Sequence, residues 1–405
     1  MPESLFNTTL LEHLIKIIIV VKVIMLTVPF MILAERKVSG WMQDRIGPNR
    51  CGPKGIIQPF ADGLKLFFKE DYTPTMVDKI IFPLAPCIAM FTALIALGVM
   101  PLGGDIKIGE KIIHLQIAQP SVGMLFMLAV SSLAVYAVVL GGWASNSKYS
   151  FLGGLRAAAQ MISYEVPMGL AVITMALIAG TLRLEVIVDQ QITGCWYVFT
   201  QPLVFMIFLI CMFAETNRAP FDLAECEQEL VAGFHTEYSS MKFAMFFLGE
   251  YAHMIVASAF AVALFFGGWH IPGVAWTGVP GQEGYSYSIW AGLGRFAIFY
   301  AKIWIFIFLY LWVRWTLPRF RYDQLMRLSW HGLVPLGIVL LLGNAVIAYW
   351  DTQNNASRWI QAGFNGILIL GLLAVSALTQ GKVAELNKPL ENMRRNHRMF
   401  RPRIQ

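Results

Sequence analysis

The chain has 405 residues, 57% of them hydrophobic and 14% charged, with a mean hydropathy of +0.59 and a formal net charge of +6. A soluble domain is about half apolar and about a quarter charged, so this composition argues for one polytopic membrane domain rather than two or three soluble ones. Basic residues in such a chain mark the cytoplasmic side, so the positive balance gives no reason to expect a nucleic-acid partner.

Apolar runs of roughly 20 residues read as spanning helices. They fall near 14–34, 79–100, 120–142, 160–180, 200–214, 241–267, 294–316, 330–350 and 363–380, nine in all. The expected fold is an all-α integral membrane protein: one polytopic domain over 1–380, then a basic tail over 381–405. The first run, LIKIIIVVKVIMLTVPFMILA, has no small-residue cleavage site after it and reads as a membrane helix, not a removable signal. No internal repeat or low-complexity segment appears. Counting loops alternately from Arg36–Lys79, one set holds 23 of the 31 Lys and Arg; the other holds Lys107, Lys111, Arg183, Arg295 and Arg358. That asymmetry predicts the first set in the cytoplasm, the N-terminus outside and the C-terminus inside.

In the first cytoplasmic loop, ERKVSGWMQDRIGPNRCGPKG crowds charges against the end of the first helix and then breaks into a Gly/Pro turn region. The following IIQPFADGLKLFFKED puts Ile57, Phe60, Leu64, Phe67 and Phe68 on one face, with Asp62, Lys65 and Lys69 elsewhere. This is an amphipathic interfacial helix, either a surface anchor or the lining of a lipid-facing portal.

Carboxylates stand out against this apolar background. Glu165 lies near the start of a span, Glu215 ends another, and Glu250 is well inside a third. Facing lipid, three such acids would cost roughly 8–10 kcal/mol, comparable with a domain's whole stability, so they must face protein, partners or water. The stretch AETNRAPFDLAECEQELVAGF adds Asp222, Glu225, Glu227 and Glu229. Asp222 and Glu225 form a capping-box pattern, and Gly233 can end the helix they open. Glu225 and Glu229 then share a face, where repulsion and burial raise carboxyl pKa values and couple their titration. The plain alternative is a solvated acidic loop, paired with Arg218 and Lys242. The two intramembrane acids tip the reading toward a proton path. Farther on, YLWVRWTLPRFRYDQLM ends a span at Pro318, and Arg319, Arg321 and Asp323 make a charged face that anchors the helix, docks a partner or pairs with the acidic loop.

Cys51, Cys87, Cys195, Cys211 and Cys226 form no C-x-x-C pair, and the seven histidines show no haem-like helical spacing. No metal and no redox cofactor held by this chain alone is expected.

Four blocks carry a resemblance: the first cytoplasmic loop with its amphipathic helix, SKYSFLGGLRAAAQMISYEVPMGL, the acidic stretch continued to Tyr251, and WVRWTLPRFRYDQLM. Together, over Ala34 to Met326, they resemble the H subunit of respiratory complex I, the counterpart of mitochondrial NADH dehydrogenase subunit 1. The resemblance implies a translocase component without a redox centre of its own, acting on quinone as substrate. Such a component joins the electron-carrying arm to the proton-pumping membrane arm. The implied partners are the other membrane-arm subunits and the quinone-site subunits of the peripheral arm. The implied location is a bacterial inner membrane, since mitochondrial forms are shorter. Carried over by motif, Glu35, Arg36, Lys37, Arg45 and Asp62 belong near the quinone cavity and its mouth. Glu165, Glu215, Asp222, Glu225, Glu227, Glu229 and Glu250 belong to the acidic path leading from it. Cys226, Gln228 and His253 depart from the family pattern. Two alternatives stand beside this: the homologous membrane component of a proton-pumping hydrogenase or formate-oxidising complex, and a free-standing secondary cation transporter. The transporter would place its acids at broken helices between repeats, and the sequence shows neither feature.

Overall fold

Lipid offers no hydrogen bonds to a backbone, so long apolar runs fold as helices that satisfy their own N–H and C=O groups. The structure, a computed structural model, describes residues 3–108, 110–223, 231–281, 284–350, 358–374 and 376. In chain order the helices are α1 (Glu3–Met42), α2 (Gln58–Phe68), α3 (Ile81–Leu97), α4 (Gly123–Ala144), α5 (Lys148–Ala179), α6 (Leu184–Thr193), α7 (Tyr197–Thr200), α8 (Pro202–Glu215), α9 (Ser240–Phe265), α10 (Ile289–Thr316), α11 (Tyr322–Arg327), α12 (Val334–Trp350) and α13 (Arg358–Ala374). Among the described residues, six helical stretches are long and apolar enough to cross a membrane: Leu10–Met42, α4, α5, α9, α10 and the continuous Tyr322–Trp350. α3, α8 and α13 are shorter apolar helices. Each apolar run in the sequence coincides with one of these elements. The basic tail and the end of the last predicted run lie outside the described residues.

Two differences from expectation bear on packing. α5 begins at Lys148, not near 160, because Arg156, Ala157, Ala158 and Ala159 are strong helix formers that carry the helix back through the presumed loop. Its Gly153 and Gly154 serve close packing: a Cβ on Gly153 would stand 2.7 Å from the Cα of Gly233, and one on Gly154 3.1 Å from the carbonyl of Val138. The second difference is a short antiparallel hairpin, β1 (Asp105–Ile108) with β2 (Lys111–His114). Four residues per strand leave too little alternation to read in advance.

The predicted amphipathic helix is α2, and Phe60, Leu64, Phe67 and Phe68 are all exposed along it. Its C-terminal end is tied to the start of α9, where Ser240 Oγ donates to the carbonyls of Leu66 and Lys69 at 3.0 and 2.8 Å. At the far end of the molecule α13 is held by buried amides. Gln201 Nε2 donates to Asn344 Oδ1 at 2.9 Å, and Asn365 Nδ2 to Gln201 Oε1 at 2.8 Å. Polar contacts of this kind join helices where lipid supplies no hydrophobic drive.

Near the hairpin, Arg295 is fully buried among backbone carbonyls. Its guanidinium donates to the carbonyls of Gly103 (2.7 Å), Asp105 (2.6 Å), Ser286 (2.9 Å) and Trp276 (3.2 Å) and stacks over Tyr285. Arg295→Leu removes the donor from several buried carbonyls at roughly 1–3 kcal/mol each, so a loss of at least about 3 kcal/mol is expected. Thermal unfolding of the solubilised protein reads it directly.

Asp189 on α6 lies in the same region. Burial, and then the charges of Asp105 and Glu185, push its carboxyl up to about 7. A carboxyl raised on folding binds more protons in the folded state than in the unfolded chain. Stability therefore falls as pH rises from about 4 to about 7, and the penalty is complete above that window. Asp189→Asn should flatten that slope and raise the melting temperature at about pH 8, with little effect at about pH 5.

Candidate functional site

The loop after α8 folds back because polar side chains inside the bundle supply what its backbone lacks. Gln160 of α5, fully buried, donates to the carbonyls of Ala214 and Phe221 at 2.9 and 2.8 Å and reaches Asn217 Oδ1 at 3.1 Å. The other flank is closed by Phe320 N to Pro220 O at 3.2 Å. This closure buries Asp222, whose Oδ2 lies 3.2 Å from Arg319 Nη2. The charged face after α10 thus pairs with the acidic stretch, one of the three roles its sequence allows. Lys242 does not join it; it pairs with Asp71 at 3.0 Å. Glu225, Glu227 and Glu229, with the capped helix expected there, lie outside the described residues.

Arg218, on the same loop, points inward. Its guanidinium is 3.5 Å from Glu250 Oε2 and stacks 4.3 Å from the centre of the Tyr251 ring. His235 Nε2 approaches the other oxygen of Glu250 at 3.7 Å. Tyr251 leads onward: its hydroxyl donates to Glu35 Oε2 at 2.6 Å, and Arg314 of α10 ion-pairs with Oε1 of the same carboxylate. Arg314, Glu35, Tyr251, Arg218, Glu250 and His235 form one connected row, drawn from α1, α9, α10 and the loop. Arg218, Glu35 and His235 are all buried in it. An opposite charge beside each carboxylate offsets the desolvation that burial imposes.

The residues expected around the quinone cavity do not stay together. Glu35 joins the row just described. Arg36 bridges α1 to α2 through Asp62 at 2.6 Å, and Lys37 donates to the carbonyl of Lys54 at 2.6 Å, pinning the Gly/Pro loop. Arg45 is exposed and bonds Gln43 at 2.8 Å. An apolar cavity of about 260 Å³ lies toward the other end of α1, against Ile19, Val23, Ile24 and Thr27 and the α10 residues Phe296 and Tyr300.

Glu215, at the C-terminal end of α8, lines two small cavities of about 40 and 30 Å³. The first also touches Asn217, Glu250 and His253; the second touches Ser131 and His253. Ser131 and Ser132 of α4 stand within bonding reach of Glu215 and Glu165 respectively. Two of the expected path acids, Glu215 and Glu250, therefore border one polar zone inside the bundle, and Glu165 stands against Ser132, next to Ser131 on α4.

Sequence reasoning missed Arg314, Tyr251 and His235. The available signal of the first was the single Arg inside YLWVRWT, two residues before the helix ends. Tyr251 follows Glu250 directly, and nothing in its spacing announces a bond to α1.

The class so defined is a helical membrane protein that carries a connected row of ionisable groups from one end into its interior. The chain belongs to the NADH dehydrogenase family, whose profile matches residues 15–345. Among curated relatives, the NADH-quinone oxidoreductase H subunit of Flavobacterium johnsoniae is 47% identical over 350 residues, covering 86% of this chain and 98% of the relative. The corresponding protein of Protochlamydia amoebophila, of the same name, is 51% identical over 313 residues, 77% of this chain and 90% of the relative. That of Leptospira biflexa is 48% identical over 347 residues, 83% of this chain and 95% of the relative.

Proposed function

We propose that this chain is the H subunit of a proton-translocating NADH:quinone oxidoreductase in a bacterial inner membrane, where it forms part of the quinone chamber and passes its chemistry to the membrane acids. Nine spanning helices, with the Lys/Arg-rich loops in the cytoplasm, complete the reading. The observation that carries it is the continuous row from Arg314 and Glu35 through Tyr251 and Arg218 to Glu250. It joins the residue assigned to the quinone side with the acids inside the bundle.

Quinone reduction takes up protons with its electrons. A carboxylate hydrogen-bonded to Tyr251 and ion-paired to Arg314 senses any change of charge beside it. Arg218 transmits that change, because the same guanidinium faces both Tyr251 and Glu250. The chain itself holds no redox centre; the electrons come from partner subunits of the peripheral arm. Arg36 with Asp62, and Lys37 with the Lys54 carbonyl, keep α2 and the Gly/Pro loop in place at the mouth of the chamber, with the exposed Arg45 beside them. Glu165, Glu215, Asp222 and Glu250, with Glu225, Glu227 and Glu229, make up the path.

The test is complementation. Membranes from a strain lacking the chain should lose NADH-driven quinone reduction and the accompanying proton uptake, and re-expression should restore both. Ion transport by the purified chain alone, without NADH or partners, would contradict the proposal.

A further inference from the structure

The proton-path reading leaves the half-buried His253 without a task. His253 lies on α9 three residues beyond Glu250, which puts the two side chains on one face of the helix. It lines both small cavities, and so does Glu215. We infer that His253 is a proton relay that links Glu250 to Glu215 and Ser131 through water held in those two cavities. The inference rests on the proton-path reading and adds to it a group that the path acids do not include.

The first argument is the state of the ring. His253 Nε2 lies 3.2 Å from Thr92 Oγ1, and the Ala89 carbonyl is within bonding reach of the imidazole. The Thr92 hydroxyl is itself 3.0 and 3.1 Å from the carbonyls of Ala89 and Ile88. A hydroxyl has one proton to donate, and here it goes to a backbone carbonyl. Thr92 Oγ1 therefore accepts from Nε2–H. That assigns the ring proton to Nε2 and leaves Nδ1 with its lone pair.

The second argument is space. A cavity of roughly 10–15 Å³ suffices for one water, provided two or more polar partners line it. The cavity of about 40 Å³ offers Glu215, Asn217, Glu250 and His253; that of about 30 Å³ offers Glu215, Thr216, Ser131 and His253. Thr216 also lines the first; the rest is apolar, with Phe234, Phe246 and Met161 on the first and Met168, Phe208 and Phe260 on the second. A hydronium ion in such surroundings is costly, so an excess proton needs a side chain to rest on.

The transfer balances with one proton and no electrons. The carboxyl of Glu250 gives its proton through a water to Nδ1, which makes an imidazolium and a carboxylate. Nδ1 returns it through a water to the carboxylate of Glu215, and the neutral ring keeps its Nε2–H bond to Thr92 throughout. Ser131 beside Glu215, and Ser132 beside Glu165, extend the polar zone in the same direction.

The test uses the intact complex in membrane vesicles and compares His253→Gln, His253→Asn and His253→Ala with Glu215→Gln and Glu250→Gln. An amide can still donate to Thr92 but cannot hold a proton, so it separates relaying from hydrogen bonding. In amide variants that assemble, NADH-driven proton uptake should fall about 10-fold, a part of the roughly 10²–10⁴ that a positioned acid–base group contributes. Added imidazole should restore part of the rate in His253→Ala. Normal uptake in an assembled amide variant, with Glu215→Gln and Glu250→Gln impaired, overturns the relay and leaves the acidic path standing. An assembled His253→Ala complex that imidazole fails to rescue assigns the side chain a structural role and also overturns the relay. Normal uptake in both Gln variants of the acids removes the path reading itself.

Discussion

Glu215→Gln in the intact complex is expected to lower NADH-driven proton translocation by roughly 10²-fold, the low end of the contribution of a positioned acid–base group, without loss of the assembled complex. The side chain ends α8, borders both cavities and stands against Ser131. Gln has the same shape and can still bond a serine hydroxyl, so packing is preserved. Replacing a charge-bearing group by a neutral amide also lightens the desolvation of a buried site, so stability should hold or rise. Falling proton uptake with an undiminished amount of complex on a native gel therefore isolates the proton function. A parallel loss of complex would place the residue among structural contacts instead.

The second large effect is expected at Arg314. Arg314→Leu strips the counter-charge from Glu35 and leaves a carboxylate whose side chain is 12% exposed, supported only by the Tyr251 hydroxyl. Breaking a sealed pair costs roughly 3–5 kcal/mol; Arg314 keeps 29% of its side chain exposed, so about 2–3 kcal/mol is expected. Quinone reduction should fall with it, since the row from Glu35 to Glu250 then starts from an uncompensated charge. Combining Arg314→Leu with Glu35→Gln removes both charges and should return much of the lost stability but not the lost activity. That double-mutant cycle, read by thermal unfolding and by NADH:quinone turnover, separates the pair's packing from its coupling role.

Much of this architecture was legible in the sequence, for a physical reason. Lipid imposes one requirement over some 20 residues at a time, so each apolar run announces its helix without tertiary help. The stripe of α2 was equally plain, because Phe60, Leu64 and Phe67 repeat at helical spacing whatever they face. Isolated acids in apolar runs were readable as exceptions, and Glu215 and Glu250 line one small cavity.

What stayed hidden depends on contacts between distant segments. Arg314 and Glu35 lie 279 positions apart, and no local pattern joins them. Arg295 counted as one more loop cation, yet it organises four carbonyls from three separate segments. Gly153 falls in the segment expected to be a loop, whereas its missing Cβ is what lets α5 touch Gly233. His253 stood out only as a departure from the family pattern; its significance comes from two cavities that exist only once α3, α4, α5, α8 and α9 are packed together.

The central claim is that carboxyl groups inside the bundle change protonation when quinone is reduced beside them. Infrared difference spectroscopy of the intact complex, recorded as NADH reduces the bound quinone, measures this directly. A carboxyl C=O band should appear or shift with reduction in the wild type, lose intensity in Glu215→Gln, and move on exchange into heavy water. A difference spectrum with no carboxyl band, or with one identical in Glu215→Gln, Glu250→Gln and Glu165→Gln, would contradict the account.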